Sequence, residues 1–248
     1  MPPLIMFDLD QTLAESKQAL TPHIGRLVGE LLRQTKVAVI SGGALPQFLK
    51  QVVAQLPPDA KLENLYLLPT SGAALYKWMH GLWCKVYEER LNEAEAARIK
   101  EAILVVAKET GLINFSTPAF GERIEYRGSE VTLSALGQQA PLDAKRTWDP
   151  DKSKRRILQQ ALATRLPEFS IGMGGATSID ITKKGIDKAY GITKIAEHLQ
   201  LPVHEMLYIG DQLEKGGNDE AALRTPIRTY AVKSPSETAF FITSLLPK

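Results

Sequence analysis

The sequence predicts an α/β protein, built on a parallel sheet and interrupted by an α+β domain with its own antiparallel sheet. Two observations support this fold class. Short apolar runs alternate with amphipathic helical stretches at both ends of the chain, a pattern that indicates a parallel sheet covered on both faces. In the middle of the chain apolar residues alternate with polar ones, which is typical of antiparallel hairpins.

The predicted core strands are four apolar runs that each end in turn or polar residues, at 4–9, 36–41, 64–69 and 205–210. Apolar residues at helical spacing predict the core helices, at about 22–34, 44–55 and 187–199. The stretch 71–89 has the pattern of hairpins. Together these segments predict a core whose last strands follow the inserted domain.

The inserted domain is predicted at 86–183, which leaves 1–85 and 184–248 as the core. Its predicted elements are a helix at about 92–110, a hairpin at 123–136, a helix at about 150–164 and a hairpin at 169–182. Asp149 and Pro150 form a typical N-cap and first-turn pair for the second helix. The charged run 152–156 is predicted to be the solvated face of that helix.

Composition excludes several classes of protein. The chain has 248 residues, with 30 Lys and Arg against 28 Asp and Glu, and a formal net charge of +2. A hydrophobic fraction of 44% and a charged fraction of 23% exclude a disordered or fibrous chain. The balanced charge gives no reason to expect a nucleic-acid or membrane partner. The single cysteine, Cys84, and the lack of a signal peptide predict a cytoplasmic location.

Polar residues follow the predicted core strands. Ligands of open parallel sheets bind at this position, beyond the carboxyl ends of the strands. They are Asp8, Asp10 and Thr12 after the first strand, Ser41, Gly42 and Gly43 after the second, and Asp211, Asn218 and Asp219 after the last. Carboxylates gathered at one edge repel each other unless a cation lies among them, and oxygen ligands favour Mg²⁺. We expect Asp8, Asp10 and Asp211 to bind Mg²⁺, with Asn218 and Asp219 supporting the metal loop.

These residues predict phosphoryl transfer through an aspartyl phosphate. Asp8 is the expected nucleophile, and Asp10 the expected proton donor and acceptor. The hydroxyl of Ser41 and the amides of Gly42 and Gly43 can bind a phosphate. Lys188 in the last core helix can neutralise charge on the transferring group, with Lys183 and Lys184 as rivals for this role. A receiver domain phosphorylated on aspartate is the non-enzymatic alternative, but such domains are shorter and have no insert.

The ordered set DxDxT, a serine after the second strand, a lysine and a final GD…ND resembles the haloacid dehalogenase (HAD) superfamily, capped type IIB. The resemblance is closest to eukaryotic-type phosphomannomutases and covers nearly the whole chain. It is carried by GERIEYRG at 121–128, FSIGMGGATSIDI at 169–181, GIDK at 185–188 and GDQLEKGGND at 210–219. The resemblance implies a Rossmann-like, three-layer core with a cap inserted after the third core strand.

The resemblance also implies substrate-binding residues in the cap. Arg127 matches an arginine that binds substrate phosphate, and Ser178 and Asp180 match residues that contact the sugar. Arg146 matches another cap arginine, with Lys145 as its rival one residue away. Lys17 stands where the family has an arginine.

Two departures from the family pattern are expected to matter differently. Gln11 replaces a usual glycine and should alter only the local turn. Gln138 replaces a phosphate-binding arginine, a charged hydrogen bond worth about 1.5–3 kcal/mol.

The activity implied is a hexose-phosphate mutase that interconverts mannose 6-phosphate and mannose 1-phosphate, with a sugar bisphosphate as activator. Because of Gln138, the alternative is a sugar-phosphate phosphatase that uses the same site. The resemblance further implies a homodimer formed through the cap.

Overall fold

The computed structural model describes residues 1–247, which form two compact units. The core unit comprises Met1–Glu88 together with the chain from Asp187 onward, and the inserted unit comprises Glu89–Ile186. Within the described chain, no helix combines the length and apolar character that a membrane span requires.

The strands, numbered in chain order, are β1 (Leu4–Asp8), β2 (Lys36–Ile40), β3 (Leu65–Leu68), β4 (Ala74–Met79), β5 (Leu82–Glu88), β6 (Ile124–Tyr126), β7 (Glu130–Ser134), β8 (Phe169–Met173), β9 (Ser178–Lys183), β10 (Leu207–Gly210) and β11 (Arg228–Ala231). The helices are α1 (Pro22–Gln34), α2 (Leu45–Gln51), α3 (Glu93–Thr110), α4 (Leu142–Trp148), α5 (Ser153–Arg165), α6 (Lys188–Leu199) and α7 (Pro235–Leu245).

The core unit contains a seven-stranded sheet in the order β11-β10-β1-β2-β3-β4-β5. The first five strands in this order are parallel, and β4 and β5 continue the sheet as an antiparallel hairpin. Leu4, Ile5, Met6 and Phe7 of β1 are fully buried, because apolar clusters cover both faces of the sheet. The predicted α/β core and the hairpin over 71–89 are confirmed.

Helix α1 illustrates how local sequence sets the elements of the core. The Thr21 hydroxyl accepts a hydrogen bond from the Ile24 amide (3.3 Å), and Pro22 occupies the first helical position, as N-terminal capping favours. Ile24, Val28 and Leu31 lie one turn apart and are buried, so this face packs on the sheet. The predicted helix at 44–55 is shorter than expected: α2 ends at Gln51 and is followed by a 3-10 turn at Val53–Gln55.

Helix α6 lies unusually close to the sheet edge. A Cβ atom on Gly191 would lie 3.0 Å from the Cα of Gly72 and 2.9 Å from Cδ1 of Ile40. Real Cβ atoms hardly ever come this close to other heavy atoms. Glycine at both positions therefore lets α6 approach the core backbone.

The inserted unit has an antiparallel sheet in the order β6-β7-β9-β8. Val131, Leu133, Ile179 and Ile181 alternate along the two central strands and pack in one apolar cluster with residues of α3 and α5. The intervening residues form a face that carries polar side chains, here called the polar face: Glu125, Arg127, Glu130, Thr132, Ser134, Ser178, Asp180 and Thr182. This alternation confirms the predicted antiparallel α+β insert.

The start of α5 differs from its prediction. The helix begins at Ser153 rather than at Pro150, after a left-handed residue at Lys152 (φ 63°), and a short helix, α4, precedes it. The prediction that 152–156 is a solvated face is wrong for Arg155, which is 5% exposed. Its Nε donates to Asp149 Oδ2 (2.8 Å) and its Nη1 to the carbonyl of Gly175 (2.5 Å). Arg155 thus ties the start of α5 to the β8–β9 turn.

Candidate active site

Polar residues meet at the carboxyl edge of the core sheet. Asp8 ends β1, Ser41 follows β2, and Asp211 follows β10. In the parallel ladders Asp8 lies opposite Ile40, and Phe7 lies opposite Ile209. Because these neighbouring strands end at the same level, their first polar residues come together, as the sequence predicts.

Lys188 connects two buried carboxylates at this edge. Its Nζ donates to Oδ1 of Asp8 (2.5 Å) and to Oδ1 of Asp219 (2.5 Å). The lysine is 4% exposed, Asp8 1% and Asp219 0%. Lys188 is the first residue of α6, where the Asp187 side chain caps the helix by accepting from the Ala189 amide (2.9 Å). Its rival Lys184 instead donates to the carbonyl of Pro167.

Asp219 is held by three donors. Oδ1 accepts from Lys188 and from the Tyr208 hydroxyl, and Oδ2 accepts from the Gln212 amide (3.0 Å). Burial alone would raise the pKa of Asp219, but the charge of Lys188 outweighs it and lowers the pKa. Asp219 is therefore an ionised group that orients Lys188. Sequence reasoning missed Tyr208, although a tyrosine inside an apolar strand generally needs a polar partner.

Two buried oxygens at this site have no hydrogen-bond partner among the described residues: Asp8 Oδ2 and Asn218 Oδ1. Carboxylate oxygens of Asp8, Asp211 and Asp219 all lie within 4.8 Å of one another. Burial, and then the charge of Asp219, raise the pKa of Asp211 to about 6, while burial raises the pKa of Asp8. Unpaired buried acceptors and carboxylates that resist ionisation are what a divalent cation with oxygen ligands would relieve. The residues therefore fit Mg²⁺.

The turn after β1 places Asp10 outside this carboxylate cluster. Asp10 Oδ1 accepts a hydrogen bond from the backbone amide of Lys17 (2.6 Å), and the Lys17 side chain is exposed. Gln11 has a left-handed backbone (φ 63°), a conformation that disfavours residues other than glycine by about 1 kcal/mol. Gln11 thus adopts the backbone conformation that glycine favours, and the turn change expected from it stays a prediction. Thr12, which had no predicted role, donates to Asp211 Oδ1 (3.4 Å).

Ser41 and the two glycines after it form a compact turn. Ser41 is buried, and its hydroxyl accepts from the Gly43 amide (3.4 Å). A Cβ atom on Gly43 would lie 2.5 Å from Oε1 of Gln47, so the first turn of α2 packs directly on this backbone. Gly42 lies between them and is partly exposed. The segment thus places a hydroxyl and two backbone amides beside the end of β1, with the Gly43 amide directed at the Ser41 hydroxyl.

The polar face brings together three of the predicted substrate residues, Arg127, Ser178 and Asp180. Nε and Nη2 of Arg127 donate to Oε2 of Glu125 (3.0 and 2.7 Å), and Nη1 donates to Oε1 of Glu130 (3.1 Å). Although burial alone would lower the pKa of Arg127, the carboxylates of Glu130 and Asp180 raise it. The guanidinium therefore has carboxylate partners of its own. Sequence reasoning assigned no role to Glu125 or Glu130.

Asp180 belongs to the same network. The Thr132 hydroxyl lies 2.9 Å from Glu130 Oε1 and 3.0 Å from Asp180 Oδ1. It has one proton to donate to two carboxyl groups. Burial, and then the charge of Asp180, raise the pKa of Glu130 to about 8. Ser178 and Ser134 form a hydroxyl pair beside them (3.1 Å).

Gln138 lies outside the polar face, in the segment between β7 and α4. Its carbonyl accepts from Nζ of Lys145 (3.1 Å), which is buried, whereas Arg146 is exposed on the same helix, α4. Of the two rival residues, the structure thus connects Lys145 with Gln138.

Comparisons with known proteins identify the family. The profile of eukaryotic phosphomannomutases matches residues 25–248. The chain belongs to this family. The phosphomannomutase of Saccharomyces cerevisiae is 23% identical over 98% of this chain and 93% of its own length. The family resemblance found in the sequence is confirmed.

Solved structures agree on the fold. IMP-bound Plasmodium falciparum IMP-nucleotidase has a TM-score of 0.71 at 16% identity, covering 100% of this chain and 69% of that chain. A haloacid dehalogenase-like hydrolase from Bacteroides thetaiotaomicron has a TM-score of 0.65 at 14% identity, covering 99% of this chain and 100% of that chain. The chain therefore has the fold of HAD-like proteins, and its membership of the phosphomannomutase family makes it an enzyme.

Proposed function

We propose that the protein catalyses Mg²⁺-dependent phosphoryl transfer on sugar phosphates through an aspartyl phosphate on Asp8. The observation that carries the proposal is the Asp8 carboxylate itself: Oδ1 is fixed by Lys188, and Oδ2 is a buried oxygen with no partner in the described chain. A carboxylate held in this way is oriented for attack. Family membership supplies the sugar phosphate as substrate.

Each step can be assigned to a residue of the core unit. An oxygen of Asp8 forms a bond to phosphorus as the phosphorus–oxygen bond to the sugar breaks, and Asp10 gives a proton to the leaving sugar oxygen. Asp10 then takes the proton of an incoming hydroxyl, whose oxygen attacks phosphorus and releases Asp8. A hydroxyl of the sugar gives transfer, and water gives hydrolysis.

The surrounding groups bind and neutralise the phosphoryl group. Ser41 and the amides of Gly42 and Gly43 would donate to its oxygens, and Lys188 would balance its developing charge. Asp8 and Asp211 would hold Mg²⁺, which reduces the repulsion between the carboxylates and the phosphoryl group. Because all oxygens of Asp219 already accept hydrogen bonds, its proposed role is to support Lys188.

The proposal also covers the organisation of the protein. The core unit, predicted at 1–85 and 184–248, would carry the chemistry, and the inserted unit, predicted at 86–183, would act as the cap that contacts the sugar. From its composition the protein would be cytoplasmic, and by resemblance to its family it would dimerise through the cap.

Mutase activity is the first form of this function to test. Mannose 1-phosphate, supplied with a catalytic amount of hexose 1,6-bisphosphate and Mg²⁺, is expected to give mannose 6-phosphate, measured by a coupled assay. Chelation of the metal is expected to stop the reaction. Rapid release of inorganic phosphate without mannose 6-phosphate would contradict the mutase.

Hydrolysis is the second candidate, because Gln138 stands in place of a phosphate-binding arginine. Gln138→Arg is expected to raise the ratio of mutase to hydrolase activity about tenfold, since a charged hydrogen bond to the second phosphate is restored. The ratio is measured from mannose 6-phosphate and inorganic phosphate formed in one reaction. Gln139→Arg, at the neighbouring exposed position, is the control. Equal ratios in both variants would refute a role for position 138.

A further inference from the structure

We propose that Arg155 and Gly174 are positioning residues for sugar recognition in the inserted unit. Arg155 fixes the turn between β8 and β9, and Gly174 in that turn fixes the carboxylate of Asp180. The inference rests on the proposed function, in which the cap contacts the sugar through residues that include Asp180. It gives a role to a buried arginine that the proposed mechanism does not use.

Arg155 is a buried cation that contacts the β8–β9 turn. Its Nη1 donates to the carbonyls of Gly175 (2.5 Å) and Gly174 (3.4 Å). Its Nε donates to Oδ2 of Asp149 (2.8 Å), and Asp149 also accepts from the backbone amides of Lys154 (2.9 Å) and Arg155 (3.2 Å). Because Asp149 orients the guanidinium at the start of α5, the two turn carbonyls are held at a defined position relative to that helix.

Backbone hydrogen bonds hold the other side of the same turn. The Gly174 amide donates to the carbonyl of Ser178 (3.0 Å), at the first residue of β9. The carbonyl of Thr177 accepts from the amide of Ala135 (3.0 Å), which directly follows β7. With Arg155 on one side and these bonds on the other, Gly174 cannot move away from β9 without breaking a hydrogen bond.

Gly174 lies directly against the side chain of Asp180. A Cβ atom on Gly174 would lie 3.1 Å from Cγ of Asp180 and 3.1 Å from Cβ of Ser178, and closer still to Oδ2 of Asp180. Glycine at this position therefore leaves the space that the carboxylate occupies. The other oxygen, Oδ1, lies 3.0 Å from the hydroxyl of Thr132. The carboxylate is thus bounded by the turn on one side and by a hydroxyl on the other.

The position of this carboxylate matters for the proposed substrate. A carboxylate recognises a sugar hydroxyl by accepting its hydrogen bond, and a charged hydrogen bond that is lost weakens binding by roughly tenfold or more. Asp8 and Lys188, which carry the proposed chemistry, belong to the core unit. A change in the β8–β9 turn should therefore affect sugar binding and leave the chemical step largely as it was.

Gly174→Ala is the first test, because the added methyl group must displace the Asp180 carboxylate. We expect the KM for mannose 1-phosphate to rise about tenfold and kcat to change less than about twofold. Rates are measured as mannose 6-phosphate plus inorganic phosphate, so that transfer and hydrolysis both count. Circular dichroism checks the fold.

Gly175→Ala is the matched control in the same turn. A Cβ atom there would meet nothing within 4 Å, and neither glycine has a left-handed backbone. The KM should therefore change less than about twofold, because no side chain has to move. An equal rise in both variants would overturn the inference, since the effect would then come from the turn backbone and not from Asp180.

A double variant shows whether the effect acts through Asp180. Asp180→Ser shortens the side chain and makes room for the methyl group. Adding Gly174→Ala to Asp180→Ser should then change the KM less than about twofold, whereas a general disturbance of the cap would add to the effect of Asp180→Ser. A tenfold rise in this background would overturn the inference.

Arg155→Lys tests the part of the arginine. Lysine keeps a positive charge opposite Asp149 but lacks the planar fork that contacts Asp149 and the turn together. We expect the KM to rise about fivefold with kcat nearly unchanged. Should this variant fold poorly, Asp149→Asn, which keeps the shape of the partner and removes its charge, is expected to raise the KM in the same direction. A native KM in the folded variant would overturn the role of Arg155.

The outcomes separate the inference from the proposed function. A native KM in Gly174→Ala overturns the inference, while turnover of sugar phosphates by the native protein leaves the proposed function standing. Absence of turnover of sugar phosphates by the native protein would overturn the proposed function, and the inference with it.

Discussion

Asp8→Asn is expected to abolish phosphoryl transfer and to leave the fold intact. An amide cannot form the aspartyl phosphate, and loss of a nucleophile lowers turnover by at least about 10⁴-fold. The amide has the shape of the carboxylate, and its oxygen can still accept from Lys188. Burial raises the pKa of Asp8, which means that this position disfavours a negative charge. A neutral asparagine is therefore compatible with the fold there.

Three measurements check this prediction. Phosphate release and sugar phosphate conversion should both fall to background, circular dichroism should be unchanged, and acid-quenched reactions with labelled substrate should show no protein-bound phosphate. Asp59→Asn is the control, because the Asp59 side chain is 69% exposed in the core unit. Retained activity, or labelling of a different residue, would overturn the mechanism.

Lys188→Met should have the second largest effect, because it removes activity and stability together. It leaves Asp8 and Asp219 buried without their common counter-charge. Loss of one partner of a buried ion pair costs about 3–5 kcal/mol of unfolding free energy. We also expect turnover to fall at least about 10³-fold, since the charge of the transferring group is no longer neutralised.

The stability of Lys188→Met relative to the native protein should depend on pH in a definite direction. In the native protein Lys188 lowers the pKa of Asp219, so its contribution to stability is present above the unfolded-state pKa and is lost as the pH falls through the folded-state value. Without the lysine, burial raises the folded-state pKa values of both carboxyls. Protonation then favours the folded state, and the variant should gain stability relative to the native protein as the pH falls.

Urea unfolding with a chelator present, at pH 7 and pH 5, measures this effect. The difference in unfolding free energy between Lys188→Met and the native protein should be smaller at pH 5. Lys194→Met, at a half-buried position of the same helix α6 in an ion pair with Glu197, is the control and should differ little from the native protein at either pH. An equal difference at both pH values would show that the ion pairs do not cause the loss.

Site residues could be predicted from the sequence where their position follows a general rule of the fold. Asp8, Ser41 and Asp211 could be placed together because they follow parallel strands, whose carboxyl ends share one edge. The alternation of apolar residues likewise predicts the antiparallel insert. Both patterns depend only on the periodicity of the chain, which is visible without coordinates.

Contacts that depend on loop conformation could not be predicted in this way. Arg155 lies in a run of charged residues, and its burial follows from the left-handed Lys152, which turns the start of α5 so that Asp149 can accept its hydrogen bonds. Arg127 meets Glu130 because a two-residue turn closes between them, with the Arg127 amide donating to the Glu130 carbonyl (2.8 Å). The turn belongs to the predicted hairpin, but the bonding partner of Arg127 does not follow from residue type.

The close packing of Gly191 against Gly72 affects the active site, because it sets the position of helix α6. Carbon atoms in contact prefer separations of about 3.5–4.0 Å, so alanine at position 191 would push α6 outward by up to about 1 Å. Lys188 lies one turn earlier on this helix, and such a shift would stretch its 2.5 Å contacts toward the limit of a hydrogen bond. The position of the Lys188 ammonium group thus depends on two glycines that do not contact it. Their substitution would be observed as a loss of activity.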